Sequence, residues 1–217
     1  LKRIAGLDDA GRGAIIGPLI IAGVCIREER LNELKDIGVR DSKLLSPYTR
    51  ERLFKEIKNI VDKYEYEKLE PEVVDTYVKR KRRYTKLNLL EAEAMARVID
   101  KLNPSIAYVD ASDVSTDRFK KQIAERLSKS VVVVSVHKAD RIFVVVSAAS
   151  IIAKVIRDRE VRKLKRIFGD FGSGYPSDPR TIEAIKSWIK VHNKIPPYTR
   201  LSWKTWKRLS QTTLDEI

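Results

Sequence analysis

Residues 6–13, GLDDAGRG, set two carboxylates side by side, Asp8 and Asp9, and follow them with a turn of Gly11, Arg12 and Gly13. Two more aspartates stand where apolar runs end: Asp110 closes IAYVD, and Asp140 follows SVVVVSV within HKAD. Like charges repel, so carboxylates that meet in one pocket persist at neutral pH only with protons or cations among them. Oxygen-only ligands suit Mg2+ or Mn2+, which take a few carboxylates and complete their shell with water and substrate phosphate. The chemistry open to such a set is phosphodiester hydrolysis, one ion activating water and a second stabilising the leaving oxygen. A single aspartate is more often a turn former or helix cap, but adjacent acids in an apolar strand gain little from capping. The glycines let the backbone approach a ligand closely. Amides and carbonyls in that turn could read a sugar hydroxyl, and the 2′-OH is what separates RNA from DNA.

Four carboxylates so placed need a sheet whose strand ends converge. RIAGL and the run Ile15 to Ile26 read as consecutive strands, plausible partners in a hairpin, and YEYEKLE, IAYVD and SVVVVSV as three more. Helices are expected from Ser46 (cap) and Pro47 onward, over LNLLEAEAMARVIDKL, over STDRFKKQIAERL and over SAASIIAKVIRDREVRKLKRIF up to Gly169. Strands first and βαβ units after them argue an α/β fold with a mixed central sheet flanked by helices. Beyond the loop FGSGYPSDPR, the runs TIEAIKSWIKVHN and SWKTWKRLSQ predict a small helical appendage, with a boundary near Gly169.

Composition narrows the partners. The chain of 217 residues carries a net charge of +14, which draws a polyanion through counterion release; a salt-bridged, heat-adapted surface is the other reading of so many charges. The longest apolar run, AIIGPLIIAGVCI, is too short to span a bilayer and is broken by Gly17, Pro18 and Gly23, and no leader precedes it, so a cytoplasmic protein without a membrane partner is expected. The single Cys25 reads as a buried small hydrophobe, and with only His137 and His192 no Cys/His zinc site can be assembled. A differently specific metal-dependent nuclease and a non-catalytic nucleic-acid-binding protein remain open at this level.

In chain order, GLDDAGRG, IIGP, RDSKLL, LNLLE, YVDASDV, HKAD, SAASIIAKVIRD and GSGYPSDPRT resemble ribonuclease HII in its archaeal form, over nearly the whole chain. The resemblance implies a ribonuclease H-like domain over residues 1–168 and a helical substrate-binding extension over 169–217. It implies cleavage of RNA in RNA–DNA hybrids and 5′ to single ribonucleotides in duplex DNA, leaving 3′-hydroxyl and 5′-phosphate ends, with two divalent ions, Mg2+ or Mn2+, on a monomer. The family's metal-binding acids fall on Asp8, Asp9, Asp110 and Asp140. Its ribonucleotide-contacting turn falls on Gly11, Arg12 and Gly13, its junction tyrosine on Tyr175, and its phosphate contacts on Ser42, Lys43 and Lys154. The family's pattern has Glu where this chain has Asp9, a carboxylate on an arm one methylene shorter, to which activity and metal preference are expected to answer.

Two basic regions and the tail complete the reading. VKRKRRY at 78–84 is expected as a solvated loop, with contact to a duplex backbone as the second reading. Trp188, Tyr198, Trp203 and Trp206 interleave with lysines and arginines, Arg200 among these; the tryptophans are expected in packing and the lysines near phosphates. In QTTLDEI, Gln211, Leu214 and Ile217 fall at the spacing of the sliding-clamp-binding motif that the resemblance suggests, without its large aromatic anchors, so a weak clamp contact at most is expected.

Overall fold

The computed structural model describes residues 2–39, 45–79, 86–206 and 209. The chain runs β1 (Arg3–Ala10), β2 (Leu19–Arg27), α1 (Leu31–Asp36), α2 (Pro47–Ile60), β3 (Lys63–Leu69), α3 (Pro71–Lys79), α4 (Lys86–Leu102), β4 (Ile106–Asp110), α5 (Thr116–Ala124), β5 (Val132–Val136), α6 (Ala139–Ile142), α7 (Val144–Phe168) and α8 (Pro179–His192). Packing divides it into two compact units. One comprises Leu1–Ala10, Ile20–Glu67 and Arg83–Ile156; the other comprises Gly11–Leu19, Lys68–Arg82 and Arg157–Ile217.

The first unit holds a five-stranded sheet in the order β3-β2-β1-β4-β5. β1 runs antiparallel to β2 and parallel to β4, and β4 runs parallel to β5, so the sheet is mixed as expected. β2, LIIAGVCIR, is buried along almost its whole length, which a strand covered on both faces requires. Its Ile20, Ala22, Val24 and Ile26 pack with Leu53, Phe54 and Ile57 of α2 and with Ile151 and Ile152 of α7. Ser46 starts α2 by accepting the Thr49 amide at 3.1 Å, with Pro47 at the first helical position. α7 begins three residues earlier than the sequence pattern suggests: Val144, Val145 and Val146, β-formers by type, form its first turn, because burial on the sheet outweighs propensity. The short helices α1, α3 and α6 are not foreseen by periodicity at all.

The second unit has its own core of Ile15, Ile16, Val161, Leu164, Phe171, Ile185 and Leu209. This core divides the chain differently from a single cut near Gly169. It also shortens the expected strand: Ile15 and Ile16 turn into the second core, Gly17 takes a φ of +93°, Pro18 follows, and β2 starts only at Leu19. Among the described residues, no helix is long and apolar enough to cross a membrane. Cys25 is buried, and burial pushes its thiol up to about 11.

Candidate active site

The parallel register of β1 on β4 runs from Ile4 opposite Ile106 to Leu7 opposite Val109. One residue further, it brings Asp8 level with Asp110 at the carboxyl ends of adjacent strands, where ligand groups converge in sheets of this kind. Asp8 is buried at 7% exposure, and its carboxyl is raised well above the usual range, first by burial, then by the charges of Asp9 and Asp110; hydrogen bonds from the Ser150 side chain and the Asp9 amide oppose the rise. The Asp9 amide donates to Asp8 Oδ1 at 2.7 Å. Asp9, half-buried, receives the Ser112 hydroxyl at 3.4 Å on Oδ2. Asp110 Oδ1 accepts the Ala139 amide at 2.9 Å.

That last bond fixes the fourth acid. Lys138 adopts the left-handed conformation, φ +56°, which turns the chain so that the Ala139 amide faces Asp110 and Asp140 lies in the first turn of α6. Asp140 is buried at 2% exposure, and its carbonyl accepts the Ser147 hydroxyl. Among the described residues, no three His, Cys, Asp or Glu side chains gather as a ready-made ion cage. Each of Asp8, Asp9 and Asp110 instead gives one oxygen to a protein donor. The donors are all carboxylates, and Asp8 is buried against the charges of Asp9 and Asp110, a repulsion of the kind that a hard divalent cation would relieve.

Helix α7 reaches this site because of Gly6. A Cβ there would lie 2.3 Å from the Val145 carbonyl carbon and oxygen, so only glycine admits the helix against β1. The helix then presents Ser150 to Asp8, and Lys154, half-buried, stands one turn beyond it on the same helical face. Ser112 is held from beneath by Asp113, which is wholly buried and accepts the Asn88 side chain at 2.9 Å, the Ser115 amide at 2.9 Å and the Arg118 guanidinium. Burial alone would raise the Asp113 carboxyl; Arg118, the Ser115 amide and Asn88 hold it down at about 2. Ser112, Asp113, Ser147 and Ser150 escape a reading of sequence because serine and aspartate beside a known acid are indistinguishable from ordinary turn and cap residues.

The second unit contains Gly11, Arg12, Gly13 and Tyr175. Gly11 has φ +89° and Gly174, preceding Tyr175, φ +80°. The two loops are joined by the Ile15 and Ile16 amides, which donate to the Gly174 carbonyl at 2.8 and 3.1 Å. Gly13 is exposed, and a Cβ on it would touch the Tyr175 ring at 4.0 Å. Arg200 is fully buried. It donates from Nη1 to the Arg12 carbonyl at 2.8 Å and from Nε and Nη2 to the Gly17 carbonyl at 3.2 and 3.0 Å. Asp75 anchors the same segment by accepting the Leu201 and Ser202 amides at 2.8 and 3.0 Å. Trp206 packs on the second core as expected, and Tyr198 packs there too, while Lys186, Lys190, Lys194 and Lys204 are exposed. Ser42 and Lys43, residues 80–85, and the tail with Gln211, Leu214 and Ile217 lie outside the described residues.

The chain is similar to known proteins over nearly its whole length. A family model described as Ribonuclease HII matches residues 5–206. The Ribonuclease HII of Thermococcus kodakarensis is 45% identical over 216 residues, covering 99% of this chain and 92% of that protein. The crystal structure of the ribonuclease H2 from Pyrococcus horikoshii superposes with a TM-score of 0.89 at 43% identity, covering 97% of this chain and 98% of that one. The ribonuclease HII in the PCNA:RNase HII complex from Archaeoglobus fulgidus gives 0.86 at 45% identity, covering 99% of this chain and 100% of that one. With a mixed sheet flanked by helices and acids at its strand ends, the chain belongs to the ribonuclease HII family and is a ribonuclease H-type endonuclease on a ribonuclease H-like fold.

Proposed function

We propose that this endonuclease cuts the RNA strand of RNA–DNA hybrids, and duplex DNA 5′ to a single embedded ribonucleotide, leaving 3′-hydroxyl and 5′-phosphate ends. Asp8, Asp9, Asp110 and Asp140 would hold two divalent ions, Mg2+ or Mn2+. When bound, the ions supply Lewis-acid activation of water and compensation of charge on the phosphate and the departing oxygen. The chain's own residues do the rest. Ser150, Ser112 and the Ala139 amide keep the carboxylates aimed, so that little reorganisation is needed on loading. Gly11, Arg12 and Gly13 offer backbone groups to the ribose 2′-OH, and Tyr175 packs on the sugar. Ser42, Lys43 and Lys154 contact phosphates. The observation that carries the reading is the buried Asp8, forced against Asp9 and Asp110 at the ends of two parallel strands.

The test is a duplex DNA with one ribonucleotide, incubated with and without Mg2+ or Mn2+, its products mapped to the nucleotide. A metal-dependent cut on the 5′ side of the ribonucleotide is expected; cleavage without metal, or cutting of all-DNA duplex at equal rate, overturns the proposal. A weak sliding-clamp contact through Gln211, Leu214 and Ile217 is a further part of it. It is supported by likeness to the Archaeoglobus fulgidus enzyme solved with PCNA, and is weak because Ile217 stands where an aromatic anchor is usual.

A further inference from the structure

Arg157 is a buried cation to which the site as described gives no task. It is 5% exposed, and among the described residues no carboxylate pairs with it. Its Nη2 donates to the Ser173 carbonyl at 3.0 Å, and its guanidinium lies 4.4 Å from the centre of the Tyr175 ring. Its stem and Nε fill the space beside Gly11: a Cβ there would lie 2.5 Å from Nε and 2.7 Å from Cδ. A Cβ on Gly174 would stand 3.4 Å from its Nη2. One side chain thus touches the turn after Asp9, the carbonyl two residues before Tyr175, and the face of Tyr175 itself.

Burying a guanidinium with a carbonyl and an aromatic face in place of an anion is costly, and packing alone would be served as well by methionine or leucine. What an apolar residue cannot supply is a planar cation that stacks on a ring while donating sideways to the backbone. We propose that Arg157 is a positioning residue that sets the plane of Tyr175 against the Gly11–Gly13 turn, and thereby the ratio of cleavage at a single ribonucleotide to cleavage of a long hybrid. The inference rests on the assignment of Tyr175 to the ribose.

The experiment compares wild type, Arg157→Met, Arg157→Lys, Tyr175→Ala and the double variant Arg157→Met/Tyr175→Ala on a singly substituted duplex and on a long hybrid, with kcat and KM separated and folding checked by circular dichroism. Arg157→Met is expected to lower kcat on the single ribonucleotide by about tenfold more than on the hybrid. The double variant should be no worse than Tyr175→Ala alone. Arg157→Lys keeps charge and stem but loses the planar stack, and is expected to lose selectivity in the same direction; it carries the test if the methionine variant does not fold. Additive losses, equal loss on both substrates, or full selectivity in the lysine variant overturns the proposal. If Tyr175→Ala itself leaves the ratio between substrates unchanged, the assignment of Tyr175 to the ribose fails and takes this inference with it. If Tyr175→Ala shifts the ratio while Arg157→Met does not, only the inference falls.

Discussion

Burial, and after it the charges of Asp9 and Asp110, raise the Asp8 carboxyl well above the usual range. Because its folded carboxyl is raised, the charged form carries a penalty that is full above the folded value and is relieved as pH falls through it. Asp8→Asn should therefore stabilise the metal-free protein at neutral pH, by on the order of 1 kcal/mol, while reducing cleavage by at least a hundredfold. Thermal melts in a chelator, set beside cleavage rates, check both halves; a variant that melts lower and cuts normally would remove Asp8 from the site. Asp9 poses the opposite question. Its carboxylate already meets Ser112, so Asp9→Glu either extends toward the ions and shifts preference from Mn2+ toward Mg2+, the more geometrically demanding ion, or crowds that loop. We expect the shift; a loss of rate with both ions would show that the loop has adapted to the shorter arm. The places of Asp8, Asp9 and Asp110 toward the ends of β1 and β4 were legible because each follows an apolar run. Arg157 and Arg200 were not, since a cation's burial depends on distant carbonyls that no local pattern announces.

At the scale of elements, the site depends on how closely α7 meets β1. Gly6→Ala places a methyl into the Val145 backbone, and should cost about 3 kcal/mol and withdraw Ser150 from Asp8. Equilibrium unfolding measures the cost, and an unchanged midpoint would mean that the helix can yield. The loop after β4 depends on Asp113. Its stabilising share is present above the ordinary carboxylate value of 3.8 and is lost as pH falls toward about 2, so Asp113→Ala should destabilise by about 2 kcal/mol at neutral pH and by less near pH 2. A difference that does not shrink on acidification would contradict the role given to its charge. The strands and long helices were readable from period and caps; β4 matches the apolar run IAYVD residue for residue. What escaped were α1 and α6, too short for periodicity to declare, the nine-residue α3, and the valine-led start of α7, where tertiary burial decides.

For the molecule as a whole, the charge of +14 predicts binding that falls steeply with salt whatever sequence is offered. Lys190→Ala, at an exposed position of α8, should weaken hybrid and ribonucleotide-bearing duplex alike and lower the salt slope by about one; a selective effect would make it a reader of the ribose. The mixed sheet was foreseeable from element order, but the second core was not, because the run from Ile15 to Ile26 looks uniform while its first two isoleucines serve a different cluster. In the function proposed above, the carboxylates at the ends of β1 and β4 bind the divalent ions that cleavage requires. Calorimetric titration of Mn2+ into the nucleic-acid-free protein, repeated with Asp110→Asn and paired with cleavage of a singly substituted duplex, tests it most directly. The account predicts measurable binding by wild type, at least tenfold weaker binding by the variant, and cleavage lost in parallel; equal Mn2+ affinity in both proteins, or undiminished cleavage by Asp110→Asn, would contradict it.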